Sequence, residues 1–194
     1  FTRVGQLPWF ILLGVLSGYV GGMVDAAIMR TMDILMSFPG MLLAMAIVSA
    51  LGPSLVNLMI SIGIYSVPTF SRVVRGSVLS IKEMEYVEAA RAVGLNHFYI
   101  VVTHVLPNCV GPFLVLATLQ IATAILSGAG LSFLGLGPQP PTPEWGAMLS
   151  SGRQYLRVAP WAATYPGFAI MFVVLGFNIL GDGLRDALDP RLKS

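Results

Sequence analysis

One cysteine, two histidines and two lysines in 194 residues leave few chemistries open. Cys109 stands alone in an apolar stretch, which excludes an internal disulfide and any multi-cysteine metal site and fits a small buried hydrophobe. His97 and His104 are seven apart with no third ligand nearby and no His-Glu-x-x-His, so contact with headgroups or a partner is the simpler role for both. Lys82 follows Ile81 and Lys193 follows Leu192, so neither can end a P-loop, and the chain cannot hold ATP in the Walker manner. No Gly-x-Ser-x-Gly elbow offers a nucleophile. Charge is equally sparse. Asp, Glu, Lys and Arg make up 10% of the chain, where a soluble domain carries roughly a quarter. The net charge of +2, without a basic run interleaved with aromatics, gives no support to a nucleic-acid partner.

What remains is apolar. Hydrophobic residues account for 56% of the chain and the mean hydropathy is +0.81, values that call for lipid as the solvent. Five apolar segments stand out, at 7–20, 34–51, 55–74, 109–126 and 161–180. The last four approach the ~20 residues that a helix needs to cross the hydrocarbon core. The first is short and the chain begins at Phe1, so we expect an N-terminally truncated chain forming one transmembrane domain over 1–194. None of the segments alternates strictly, so a barrel is not expected. Pro39, Pro68, Pro112 and Pro166 would free backbone carbonyls inside lipid, which neighbouring helices must satisfy. The nine acids fall outside the segments, in loops or flanks, which argues against a proton-coupled carrier.

The basic residues set an orientation. Arg30, Arg72, Arg75, Lys82, Arg91, Arg185, Arg191 and Lys193 fall on one side of five alternating spans, and Arg3, Arg153 and Arg157 on the other. The positive-inside bias puts the loop at 76–107 and the C-terminus in the cytoplasm. The Gly- and Pro-rich segment at 128–160, with Trp145, then lies outside, as an interfacial loop closing the bundle or as a lid or docking surface.

The cytoplasmic loop reads as a built structure. Ser80 and Glu83 have capping-box spacing, so a helix of about three and a half turns is expected over 81–93. Gly94 can take the left-handed conformation that ends it. Leu95 and Ile100 flank Asn96 as a hydrophobic staple would, starting a second helix that Pro107 kinks or stops.

Within this loop, Glu88-Ala89-Ala90, three residues, Gly94, nine residues, then His104-Val105-Leu106-Pro107 resembles the EAA loop of permease subunits of bacterial ABC importers. Its consensus is Glu-Ala-Ala-x3-Gly-x9-Ile-x-Leu-Pro, and His104 replaces the isoleucine. LSFLGLG at 131–137, PPTPEWG at 140–146 and NILGDGLRDALDP at 178–190 are similar to the second permease subunit of the dipeptide, oligopeptide and nickel branch. The resemblance implies an all-α, polytopic transmembrane helix bundle of the binding-protein-dependent ABC importer permease type, in the bacterial inner membrane. It implies a second permease, two cytoplasmic ATPase subunits that carry the ATP and Mg, and an extracytoplasmic solute-binding protein. No cofactor, metal or catalytic residue is expected on this chain.

The same resemblance makes 76–107 the coupling loop, with Met84, Tyr86, Val87, Glu88, Ala89, Ala90, Arg91 and Gly94 as the ATPase-coupling residues. Small Ala89 and Ala90 would let the helix seat closely while Glu88 touches the partner and Met84, Tyr86 and Val87 add an apolar face. The plainer role for Glu88 is an ion pair with Arg91 or Lys82. Among mid-span polar residues, Asn57 and Gln120 are candidates for lining a pathway, although interhelical hydrogen bonding accounts for such residues as well. A self-sufficient channel or secondary carrier, with the 76–107 loop as its gate, is the alternative function.

Overall fold

The computed structural model describes residues 7–188, which are mostly helical and include no strand. Arg3, Arg191 and Lys193, together with the end of the 178–190 motif, lie outside the described residues. The main helices are α1 (Leu7–Val20), α2 (Gly22–Met36), α3 (Gly40–Leu51), α4 (Leu55–Lys82), α5 (Glu85–Ala92), α6 (His97–Ile100), α7 (Leu106–Phe133), α8 (Trp145–Gly152) and α9 (Trp161–Leu188). A π-helical turn, Val101–Val105, joins α6 to α7.

Two long helices are apolar enough to cross a membrane by length and composition, the continuous His97–Phe133 and Trp161–Leu188. The expected span at 34–51 is not one straight helix. It breaks between α2 and α3, which bend by 83° and together would make a third span or a re-entrant loop. The break is local chemistry: Pro39 takes an extended conformation, φ −55° and ψ 123°, and disfavours helix at the residue before it. Ser37 Oγ closes the end of α2 on the Ile34 carbonyl at 2.7 Å. Pro39 is therefore a hinge, whereas Pro68, Pro112 and Pro166 sit inside α4, α7 and α9. The expected spans at 7–20 and 55–74 are helical, yet α1 has only 14 residues and α4 runs on to Lys82, its polar Asn57, Ser61, Ser66, Thr69 and Arg72 diluting the apolar stretch.

The described residues form two compact units. The first gathers 7–37, 66–116 and 185–188. In it α1 lies directly on α4: a Cβ added at Gly14 would come within 2.7 Å of Val74 Cβ, and one at Gly18 within 2.9 Å of Val78 Cβ. Two glycines four apart thus let the backbones approach as membrane helices do when small residues line the contact. Phe70 stacks with Phe10 at 6.0 Å and tilts against Phe113 at 5.6 Å. Cys109 is buried in this unit as an apolar side chain.

The second unit gathers 38–65 and 117–184 around Ala44, Val48, Leu58 and Leu131. Tyr65 OH donates to Ser127 Oγ at 3.0 Å. Glu144 caps α8 by accepting from the Ala147 amide at 2.7 Å, and Gly135, at φ 84°, ends α7 with the Leu136 amide reaching back to the Leu131 carbonyl at 3.0 Å.

Candidate functional site

The helix at the motif is shorter than expected and starts later. Ser80 lies inside α4, so the Ser80–Glu83 capping box does not form. Val74, Val78 and Ile81 make one buried stripe at helical spacing, and burying that stripe carries α4 through Ser80 to Lys82. The chain then turns at Met84, an N-cap in extended conformation with no side-chain cap, and α5 covers Glu85–Ala92, eight residues. Its first turn carries Glu85 and Glu88 and its last Arg91, the arrangement that the helix dipole favours.

The end of α5 is as expected from Gly94. At φ 85° this glycine lets its own amide reach the Arg91 carbonyl at 2.9 Å and the Leu95 amide reach the Ala90 carbonyl at 3.2 Å, a Schellman closure. Asn96 Oδ1 then accepts from the Phe98 amide at 3.0 Å and starts α6. Pro107 neither stops nor sharply ends the helix that follows. The Val101–Val105 turn passes into α7 through the Leu106 amide bonding the Val101 carbonyl, five residues back. A proline one residue later has no amide to offer, so the register relaxes just ahead of it.

Within α5 the expected residues divide between two faces. Val87 is fully buried and Ala90 nearly so at 9%, which removes Val87 from the docking face. Met84, Tyr86, Glu88, Ala89, Arg91 and Gly94 are exposed. Glu88 forms no ion pair among the described residues: Lys82 Nζ donates instead to the Gly18 carbonyl at 3.1 Å, and the Arg91 guanidinium lies 5.7 Å over the Tyr19 ring. A carboxylate thus stands on the outer face of α5, beside an apolar strip of Tyr86, Ala89 and Val93 at i, i+3 and i+7. Val93 is 81% exposed and Phe98 75%, and neither was among the expected residues. The helical period counted from Tyr86 and Ala89 would have found Val93.

The two histidines are built into aromatic contacts. Tyr19 OH and His97 Nδ1 are 3.0 Å apart, and His104 lies between the rings of Tyr86 at 6.1 Å and Tyr99 at 6.4 Å. Among the described residues no group of three His, Cys, Asp or Glu could hold a metal. Asn57 and Gln120 belong to the other compact unit. The Asn57 amide donates to the Leu51 and Gly52 carbonyls at 2.9 Å each, so it closes the end of α3 rather than presenting itself to a solute. Gln120 is half-buried in α7, with its amide unpartnered among the described residues. Asp25 and Asp33, expected in a flank, lie on α2 and pair with Arg75 and Arg72.

Apolar helices of membrane length, interrupted by a short helix with one buried and one open face, are the architecture of a polytopic membrane protein. The chain belongs to the family of binding-protein-dependent transport system inner membrane components, whose model matches residues 10–194. It is 53% identical over 194 residues to the dipeptide transport system permease protein DppC of Alkalihalophilus pseudofirmus, covering all of this chain and 64% of that one. It is 49% identical over 182 residues to the glutathione transport system permease protein GsiD of Pectobacterium atrosepticum, covering 94% of this chain and 60% of that one. The chain therefore spans less than two thirds of these relatives. The fold is similar to that of the MetNI methionine ABC transporter in its inward-facing conformation, with a TM-score of 0.69 at 21% identity, over 96% of this chain and 87% of that one.

Proposed function

We propose that this chain is a permease subunit of an ATP-driven importer for dipeptides, oligopeptides or related small solutes such as glutathione. It pairs with a second permease to form the path, sits in the bacterial inner membrane with α5 and the C-terminus cytoplasmic, and receives solute from an extracytoplasmic binding protein. Two ATPase subunits hold the ATP and Mg, and α5 seats on one of them. The observation that carries this reading is the two-faced α5: Val87 and Ala90 anchor it, while Glu88 and the Tyr86–Ala89–Val93 strip stand open beside a glycine closure. A gate in a self-contained carrier needs no such unpartnered outer face. Relatives named for dipeptide and glutathione transport support the solute class.

The test is affinity purification from detergent-solubilised membranes. The expected result is a second permease and ATPase subunits recovered with this chain, and ATP hydrolysis that rises with loaded binding protein. Recovery of the chain alone or as a homo-oligomer, with solute uptake intact in vesicles free of ATP, would overturn the reading.

A further inference from the structure

Two cations of α4, Arg75 and Lys82, reach the corner between α1 and α2, and a third, Arg72, reaches the far end of α2. Arg75 directs its fork at Asp25, Nε to Oδ1 at 2.6 Å and Nη2 to Oδ2 at 2.5 Å, and Ser17 Oγ donates to the same Oδ1. Lys82 holds the Gly18 carbonyl, one of the last of α1, which has no partner further along its own helix. Arg72 reaches Asp33 on α2 at 2.6 Å through a single nitrogen. From the far side of the loop, Arg91 of α5 covers the Tyr19 ring and His97 of α6 meets the Tyr19 hydroxyl. The helix that enters α5 and the one that leaves it thus both end on one turn of α1, Ser17 to Tyr19. All of these residues lie in one compact unit.

The two ion pairs differ in kind. Asp25 and Arg75 are 20% and 31% exposed, joined by two parallel bonds, with a hydroxyl satisfying a third direction. Asp33 and Arg72 are 56% and 43% exposed and share one bond. A bidentate, half-buried pair holds direction as well as distance, whereas a solvated single contact holds little. Arg75 stands seven residues, about two turns, before the end of α4. Fixing Arg75 therefore fixes the angle at which α4 delivers α5.

We propose that Asp25, Arg75 and Ser17 form a positioning bracket that sets the seat of α5, so that force passes between the ATPase and the bundle through α4, with Asp33–Arg72 as a dispensable neighbour. The bracket rests on the reading of α5 as the ATPase-docking helix. Asp25 and Arg75 act on coupling through α4 and touch neither solute nor nucleotide.

The test uses the assembled complex with spin labels at Met23→Cys and Glu85→Cys, both exposed. The parent should give one narrow distance, and Asp25→Asn a broad one. ATPase stimulation by loaded binding protein should fall about tenfold in Asp25→Asn and Arg75→Gln, with the double variant no worse than the poorer single, because the pair acts as one unit. Asp33→Asn should stay within about twofold of the parent. Arg75→Lys keeps the charge without the fork and, if Asp25→Asn fails to accumulate, should show the broad distance in its place. A narrow, unshifted distance in these variants overturns the bracket whatever the ATPase does. A broad distance with parental stimulation overturns its role in coupling. Should the complex come without ATPases, the importer reading fails, and the distances still decide the bracket.

Discussion

Two loops of this chain carry a short helix closed or opened by similar devices, and they end up in different situations. α5 follows α4 and ends at Gly94; α8 follows the Gly135 closure of α7 and starts at the Glu144 cap. α8 is packed through backbone. A Cβ at Gly146 would overlap the Ala129 carbonyl of α7, and one at Gly152 would sit 2.9 Å from the Ala162 backbone of α9. Around Gly94 there is nothing within 4 Å of an added Cβ, and Val93 beside it is almost fully exposed. The α8 loop has found its partner within the chain, whereas the α5 loop shows a formed helix with one face left open.

Breaking α8 should have the largest effect. Gly146→Ala forces a methyl into the Ala129 backbone, which no rotamer can relieve, and an overpacked core contact of this kind costs about 1–3 kcal/mol. The expected outcome is a lower melting temperature of the detergent-solubilised chain and reduced membrane abundance. Parental melting would mean that α8 is as loosely held as α5.

Changes to α5 should leave abundance alone and strike function. Gly94→Val puts a β-branched residue at φ 85°, at a cost of about 1–2 kcal/mol, confined to the turn that orients α6. Glu88→Ala removes an exposed carboxylate that has no ion pair among the described residues. For both, normal insertion with roughly a tenfold loss of ligand-stimulated ATPase activity is expected, as for a hot-spot contact. Reconstituted complexes carrying either variant that respond like the parent would reduce α5 to a connector.

The smallest effect sharpens the boundary of α5. Ser80→Ala should change stability by less than about 0.5 kcal/mol, since Ser80 caps nothing, where loss of a true N-cap costs about 1 kcal/mol. A denaturation midpoint shifted by the full cap value would restore the longer helix over 81–93.

How much of this could be read in advance depends on the range of the interaction. The turn at Gly94 and the cap at Asn96 rest on φ preference and on bonds two to five residues long, and both were legible. The capping box at Ser80 uses the same kind of local signal, and it lost to the burial of Val78 and Ile81. The assignment of Val87 to an outer face failed for a related reason: a two-turn helix has too few residues for its sequence to say which side is covered. Asn57 looked like a mid-span amide because the turn between α3 and α4, which brings its side chain back onto the Leu51 and Gly52 carbonyls, is a matter of tertiary geometry and not of spacing.

The sequence by itself determined the lipid-solvated helical class, the family motif from Glu88 to Pro107 and the glycine that closes α5, because composition, spacing and backbone preference are properties of the chain alone. Only the tertiary structure decided where α4 hands over to α5, which face of α5 stays open, and that Asp25 and Arg75, fifty residues apart, share two hydrogen bonds. Those outcomes depend on which apolar stripe wins burial and on which charges are brought within reach when Gly14 and Gly18 let α1 lie against α4. Such competition between distant segments leaves no mark within any one of them.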